Sequence, residues 1–425
     1  MKYSFDTYRL YQREKVFAYT IRVKVTMKEE IDCKVLKSAL NVAIKRYPYL
    51  AVKVITQPDG AYDLLPNDAE VVVIRTGNNL PKLGSEEVNG HLVFLDYEGR
   101  DIYFNISHSL CGGHGSFPFV MTVIYQYVKE KYNVEPDAPN IRKPDSPLLE
   151  NEMVEPTVDM LPDMPSSYKY AGKKPQMMIK DYLNGMYNPF KRNPNYMEFA
   201  FRQKDIIELA QQNDFSVVSI FIILMAKALD KVLPEKCKVI GAETANCPLD
   251  QMGIDDAHAD LLTHIFVDYD REMLSRDMGF LGTVTRGNII LQKDLENCQE
   301  EIRQILKVYE EVDKITGKKD KIKYIEENNL NRGKDARHGT FLCNYTGRMD
   351  WGEVADYVES YFAIIEGHLT MEVTSIDNRL FLSIMYLIDG SKYTKAFIEV
   401  LDELSIPYRV RGPFPKNIVR HQLDD

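Results

Sequence analysis

The chain has 425 residues, 44% of them hydrophobic and 27% charged, with a formal net charge of −10. That length exceeds one ordinary hydrophobic core, so two domains are expected, and the acidic balance argues against a nucleic-acid partner, whose footprint is basic. Six scattered cysteines with no C-x-x-C pair, no apolar signal core after Met1 and no apolar run of membrane-spanning length point to a cytoplasmic protein with reduced thiols and no membrane partner.

In chain order, residues 19–26 (YTIRVKVT) alternate, with Tyr19, Ile21, Val23 and Val25 on one face and Arg22 and Lys24 on the other. This is the pattern of a half-buried strand. Asp32 is placed to cap a helix carrying Leu36, Leu40, Ala43 and Tyr47 at helical spacing, and Pro48 ends it. An apolar strand follows at Leu50–Ile55, then a turn at Pro58-Asp59-Gly60. His91–Tyr97 and Asp101–Ile106 read as a hairpin about Glu98-Gly99-Arg100, and Phe119–Lys129 as a helix.

Between 136 and 165 stand seven of the 20 prolines, at Pro136, Pro139, Pro144, Pro147, Pro156, Pro162 and Pro165. Helices and central strands cannot form there, so a crossing linker is expected. The boundaries read as 1–135 for a first subdomain, 136–190 for the linker and 191–425 for a second subdomain. In the second, Gln203–Gln212 reads as an amphipathic helix, and Ser216 caps a buried helix that begins with the apolar run Val217–Ala226. Val239–Asn246 is a strand, Asp294–Val312 a charged helix, and His368–Thr374 with Arg379–Leu387 a hairpin. A helix over 392–404 leads to a short strand at Tyr408–Val410. Both halves mix strands and helices, an α/β (α+β) composition.

The chemistry concentrates in Phe104-Asn105-Ile106-Ser107-His108-Ser109-Leu110-Cys111-Gly112-Gly113-His114-Gly115. Here a strand delivers His108 to a glycine-rich bend that opens a helix. Glycines let backbone approach a ligand and take positive φ, and the small neighbours leave room around the ring. The helix start favours developing negative charge. His108 and His114 stand six apart with no acidic residue between them, which fits no zinc site, so no metal is expected. Nothing in this spacing activates Cys111 as a nucleophile.

The order of features resembles the chloramphenicol acetyltransferase-like superfamily, which includes alcohol O-acetyltransferases, condensation domains of nonribosomal peptide synthetases and polyketide-associated acyltransferases. Its hallmark is H-H-x-x-x-D-G between a strand and a helix. Ser107-His108-Ser109-Leu110-Cys111-Gly112-Gly113 aligns with it, His108 matching the catalytic His. The upstream strand, Ile31-Asp32 and Pro48-Tyr49-Leu50 agree as well, and Phe341–Arg348 is similar to the Ser-Asn-x-Gly strand of alcohol acetyltransferase relatives. Two positions depart. Ser107 replaces the first His, and Gly112 replaces an Asp that in relatives points away from the substrate, pairs with an Arg and holds the loop.

The resemblance implies two subdomains, each a mixed sheet flanked by helices, with a tunnel between them. It implies an acyltransferase moving an acyl group, acetyl first among candidates, from a coenzyme A thioester to a hydroxyl or amine of a small-molecule acceptor. His108 would be the general base, with Thr346 or Asn344 as donor to the oxyanion. Acyl-CoA would be a cosubstrate, with no bound cofactor. Lys318, Lys319 and Arg332, in basic runs of the second half, are candidates for its phosphates. Two alternatives stay open: a binding protein that has lost turnover through Gly112, and a condensation-type enzyme that takes its donor from a carrier protein in trans.

Overall fold

In the computed structural model, which describes residues 5–12, 18–77, 79–163, 168, 188–328, 339–365, 367–417 and 419–424, the alternating stretch after residue 19 forms strand β1 (Thr20–Met27). Asp32 caps helix α1 (Cys33–Ala43), accepting from the backbone N–H groups of Lys34 and Val35 at 2.9 and 3.2 Å. That satisfies donors a helix start otherwise leaves unpaired. Leu36, Ala39, Leu40 and Ala43 bury the inner face of this helix. Strands β2 (Val52–Thr56) and β3 (Tyr62–Pro66) pair as a hairpin, and β4 (Val73–Arg75), β5 (Val93–Glu98) and β6 (Asp101–Ser107) lead into helix α2 (Gly113–Tyr132). Residues 133–163, rich in proline, form no helix or strand beyond a tight turn at Val158–Met160.

Strand β7 (Asn195–Arg202) opens the second half, followed by helices α3 (Gln203–Gln212) and α4 (Val217–Val232). Ser216 and Ser219 cap α4 reciprocally, Ser219 N to Ser216 Oγ at 3.3 Å and Ser216 N to Ser219 Oγ at 2.7 Å. Ile220 to Ala226 are all buried, as expected of a core helix. Among the described residues no helix is long and apolar enough to cross a membrane. Then come β8 (Val239–Asn246), β9 (Thr263–Asp270), and helices α5 (Arg271–Leu274), α6 (Met278–Lys293), α7 (Leu295–Lys314) and α8 (Lys318–Glu327). Strands β10 (Phe341–Met349), β11 (Val358–Ile364), β12 (Leu369–Ile376) and β13 (Arg379–Tyr386), helix α9 (Ser391–Glu403) and strand β14 (Arg409–Pro415) complete the described elements.

Among the described residues, five strands form one sheet in the order β11-β1-β6-β5-β4, and seven form another in the order β14-β7-β13-β12-β10-β8-β9. Strand β11 pairs antiparallel with β1, Val23 opposite Ala363, so the late part of the chain closes the first sheet. One core gathers Ile21, Val23, Leu36, Phe104, Phe119 and Trp351; the other gathers Phe199, Phe221, Met225, Met371, Leu382 and Phe397.

The Arg22/Lys24 face of β1, which alternation reads as solvated, is buried instead. Arg22 binds Asp96 at 2.8 and 3.0 Å, and Lys24 reaches Glu198 of β7 at 2.8 Å. Each cation has a carboxylate beside it, the condition under which charge tolerates burial. The Lys24–Glu198 pair also ties the first sheet to the second.

Candidate active site

Strand β6 carries the chain to Ser107, and the backbone N–H of His108 donates to Tyr19 O at 2.8 Å. The ring then lines a cavity of about 1000 Å³ between the two halves. From the first half the wall includes Tyr19, Ile21, Gly113 and Met121; from the second it includes Glu243, His264, Asn344, Thr346 and Glu372. Ser107, at the place of the motif's first His, holds its hydroxyl 2.6 Å from Ser109 Oγ and 2.6 Å from His421 Nε2.

The glycine bend borders the cavity at Gly112 and Gly113, and it also makes room for another part of the chain. None of Gly112, Gly113 and Gly115 takes positive φ. The close neighbour is the chain itself: at Gly112 the buried segment 257–261 between β8 and β9, and at Gly115 that segment together with Cys111, whose Cβ would stand 2.5 Å from a Cβ there. A Cβ at Gly112 would stand 2.2 Å from Asp260 Oδ1, and one at Gly115 would stand 3.0 Å from His258 Cβ and 3.1 Å from His258 O. The segment is held from behind. His258 stacks on Tyr49 with ring centroids 4.3 Å apart, and its N–H and Nδ1 lie 3.1 and 2.8 Å from the main-chain carbonyl of Glu152. The Glu152 side chain is in turn locked by Arg46 at 2.8 and 2.9 Å. Burial alone would raise the Glu152 carboxyl, but Arg46, the Leu149 N–H and Arg142 hold it below its ordinary range.

This stack delivers Asp260, whose side chain is 3% exposed, to His108, whose side chain is 16% exposed. Asp260 Oδ2 lies 3.3 Å from His108 Nδ1 and also meets the Arg9 guanidinium. The Nδ1 contact has ion-pair distance but misses hydrogen-bond direction, a looseness common at resting sites. Nδ1 is thus sealed inside, leaving the opposite, Nε2 edge of the ring for the cavity. Burial lowers the His108 pKa, Asp260 opposes that and Arg9 reinforces it, for a net downward shift. A neutral imidazole at pH 7 is the state a base requires.

Both expected oxyanion donors line the cavity. Thr346 Oγ1 lies 3.2 Å from Val373 O and 3.1 Å from Thr374 Oγ1. Asn344 accepts from Ala245 N at 3.0 Å and donates to Glu372 at 2.8 Å. Burial drives the Glu372 carboxyl up to about 7, against the pull of Asn344. Beyond it, His264 Nδ1 lies 3.1 Å from Glu301, and its pKa is raised although burial opposes this, chiefly through that carboxylate and Glu243. Among the described residues no cluster of three or more His, Cys, Asp or Glu side chains could hold a metal ion.

No protein-family model and no curated protein matches the chain. Solved structures match along nearly its whole length. Polyketide synthase associated protein 5 from Mycobacterium tuberculosis is similar at 12% identity and a TM-score of 0.57, over 93% of this chain and 95% of that one. The trichothecene 15-O-acetyltransferase TRI3 of Fusarium sporotrichioides is similar at 12% identity and 0.56, over 93% and 94%. TRI101 of F. sporotrichioides, complexed with coenzyme A and T-2, gives 12% and 0.55, over 95% and 98%. The chain has the chloramphenicol acetyltransferase-like fold. The local motif pointed to His108, which lines the cavity, and gave no sign of Asp260 or Arg9, which are remote from it in sequence and carry no motif of their own.

The expected phosphate cations are dispersed. Lys318 Nζ donates to Leu423 O at 3.1 Å and lies 4.8 Å from the Tyr62 ring centroid. Lys319 is exposed, neither lines the cavity, and Arg332 lies outside the described residues. Ile325 and Asn328, at the far end of α8, do line it.

Proposed function

We propose that the protein is an acyltransferase acting in the cytoplasm, moving an acyl group from a coenzyme A thioester to a hydroxyl or amine of a small acceptor. The observation that carries this reading is His108, sealed at Nδ1 by Asp260 and open along its other edge to a cavity shared by both halves. A cavity of about 1000 Å³ has room for a thioester arm and a small acceptor together.

In the reaction, His108 Nε2 takes the proton of the acceptor as its oxygen or nitrogen attacks the thioester carbonyl. The carbon–sulfur bond then breaks, and the imidazolium returns the proton to the departing sulfur. The oxyanion in between needs a donor. Asn344 has a second amide hydrogen beyond the one given to Glu372, and the Thr346 hydroxyl can rotate toward the cavity. Lys318 and Lys319 of α8, with Arg332, are the candidates for contact with the donor's phosphates. Gly112, at the place of the missing motif Asp, faces Asp260, whose Oδ1 would stand 2.2 Å from a Cβ there, and this supports the active reading over a retired site.

The test is thiol release and thermal shift with a panel of acyl-CoA thioesters, each offered simple alcohols and amines. Release with at least one pair, and a rise in melting temperature with its donor, are expected. Neither response to any acyl-CoA would overturn the CoA assignment, and turnover only with carrier-bound thioesters would replace it.

A further inference from the structure

We propose that Asp260 is the positioning residue for His108, its carboxylate holding the neutral ring's proton on Nδ1 and so reserving Nε2 as the acceptor facing the cavity. This rests on the reading of His108 as the base and adds how that base is held. Three observations carry it. Asp260 Oδ2 is 3.3 Å from the buried Nδ1. The carboxylate is itself buried and is balanced by Arg9, which reaches it from a segment at the start of the chain. Residue 112 has no side chain, and any Cβ there would collide with Asp260 Oδ1 at 2.2 Å. Gly112 and Asp260 are therefore one device: the bend gives up a side chain so that a carboxylate from 148 residues further on can reach the imidazole. When Nε2 takes a proton, the ring becomes cationic beside a buried carboxylate 3.3 Å from Nδ1. The stack Arg46–Glu152–His258 fixes the segment that bears Asp260.

The experiment is a nuclear magnetic resonance titration of the full chain labelled at its eight histidines, with the His108 signal assigned by its loss in His108→Gln. The charged groups acting on the His108 ring are Asp260 and Arg9, and they act with opposite sign. Asp260→Asn should lower the His108 titration midpoint and move neutral-form proton density from Nδ1 toward Nε2. Arg9→Gln should raise the midpoint. A merely structural disturbance would shift both variants the same way. Where turnover is measurable, Asp260→Asn should reduce kcat about 100-fold or more, by analogy with loss of a tautomer-fixing carboxylate, with KM little changed. An unchanged His108 midpoint and tautomer in Asp260→Asn, or shifts of the same sign in both variants, would overturn the proposal. This readout needs no activity, so it separates failure of the Asp260 role from failure of the acyltransferase reading.

Discussion

Gly112→Asp restores the acidic residue of the motif the sequence resembles, and the structure predicts that it harms the protein. Backbone conformation is not the main reason, since Gly112 is extended with negative φ (−92°, ψ −157°). The reason is contact. The new Cβ would meet Asp260 at 2.2 Å from Oδ1, 2.8 Å from Cγ and 3.0 Å from Cβ, where nonbonded carbons prefer about 3.5–4.0 Å. Asp260 must retreat by about 1 Å from a place fixed by Arg9, His108 and its own buried neighbours. Overpacking of this kind costs about 1–3 kcal/mol, and a second carboxyl beside the first adds charge repulsion or forces a proton uptake. A loss of about 3 kcal/mol in denaturant unfolding is expected for Gly112→Asp, and about 1–2 kcal/mol for Gly112→Ala. Asp260→Gly removes the obstacle, so the double variant with Gly112→Asp should regain stability, with a favourable coupling of at least about 1 kcal/mol. Gly112→Asp as stable as wild type, or a strictly additive cycle, would refute the reasoning.

Other expectations follow from the same site. Burial raises the Glu372 carboxyl from 4.5 to about 7, so its contribution to stability is intact below pH 4.5 and is lost as pH climbs through 7. Glu372→Gln should therefore gain on wild type by about 3 kcal/mol between pH 4 and pH 8; parallel stability profiles would contradict this. Glu152→Gln leaves the buried Arg46 cation without its carboxylate and should cost about 3–5 kcal/mol in unfolding, a loss under about 1 kcal/mol being the contrary result. Lys319→Glu should weaken acyl-CoA binding at low salt, measured by thermal shift, and unchanged binding would move the phosphates away from α8.

Local signals made much of the fold legible. Asp32 and Ser216 mark helix starts because their side chains pair with the first N–H groups, an effect confined to one turn. Helix α6 was not legible. It carries Gly279, Gly282 and Gly287, which disfavour helix, and Gly282 is there because a Cβ would stand 2.1 Å from Asn213 O. Packing makes that helix. Strand β11 shows its place only through pairing with β1, more than 300 residues earlier. In the site, His108 was legible because motif, strand end and bend are contiguous. The glycines do border the cavity, but none takes the positive φ expected of them, and their second use was not legible. What they accommodate, segment 257–261, is set by contacts that no local pattern encodes, and so is the burial of Arg22 and Lys24 against partners elsewhere in the fold.

The central claim is that His108 is a working base, and turnover of His108→Ala against wild type tests it most directly. With an acyl-CoA and acceptor that wild type uses, thiol release should fall about 100- to 10,000-fold, while circular dichroism shows the fold retained. His114→Ala is the comparison: His114 also borders the cavity but sits exposed in the first turn of α2, and its loss should be far smaller. Equal turnover in wild type and His108→Ala would contradict the account.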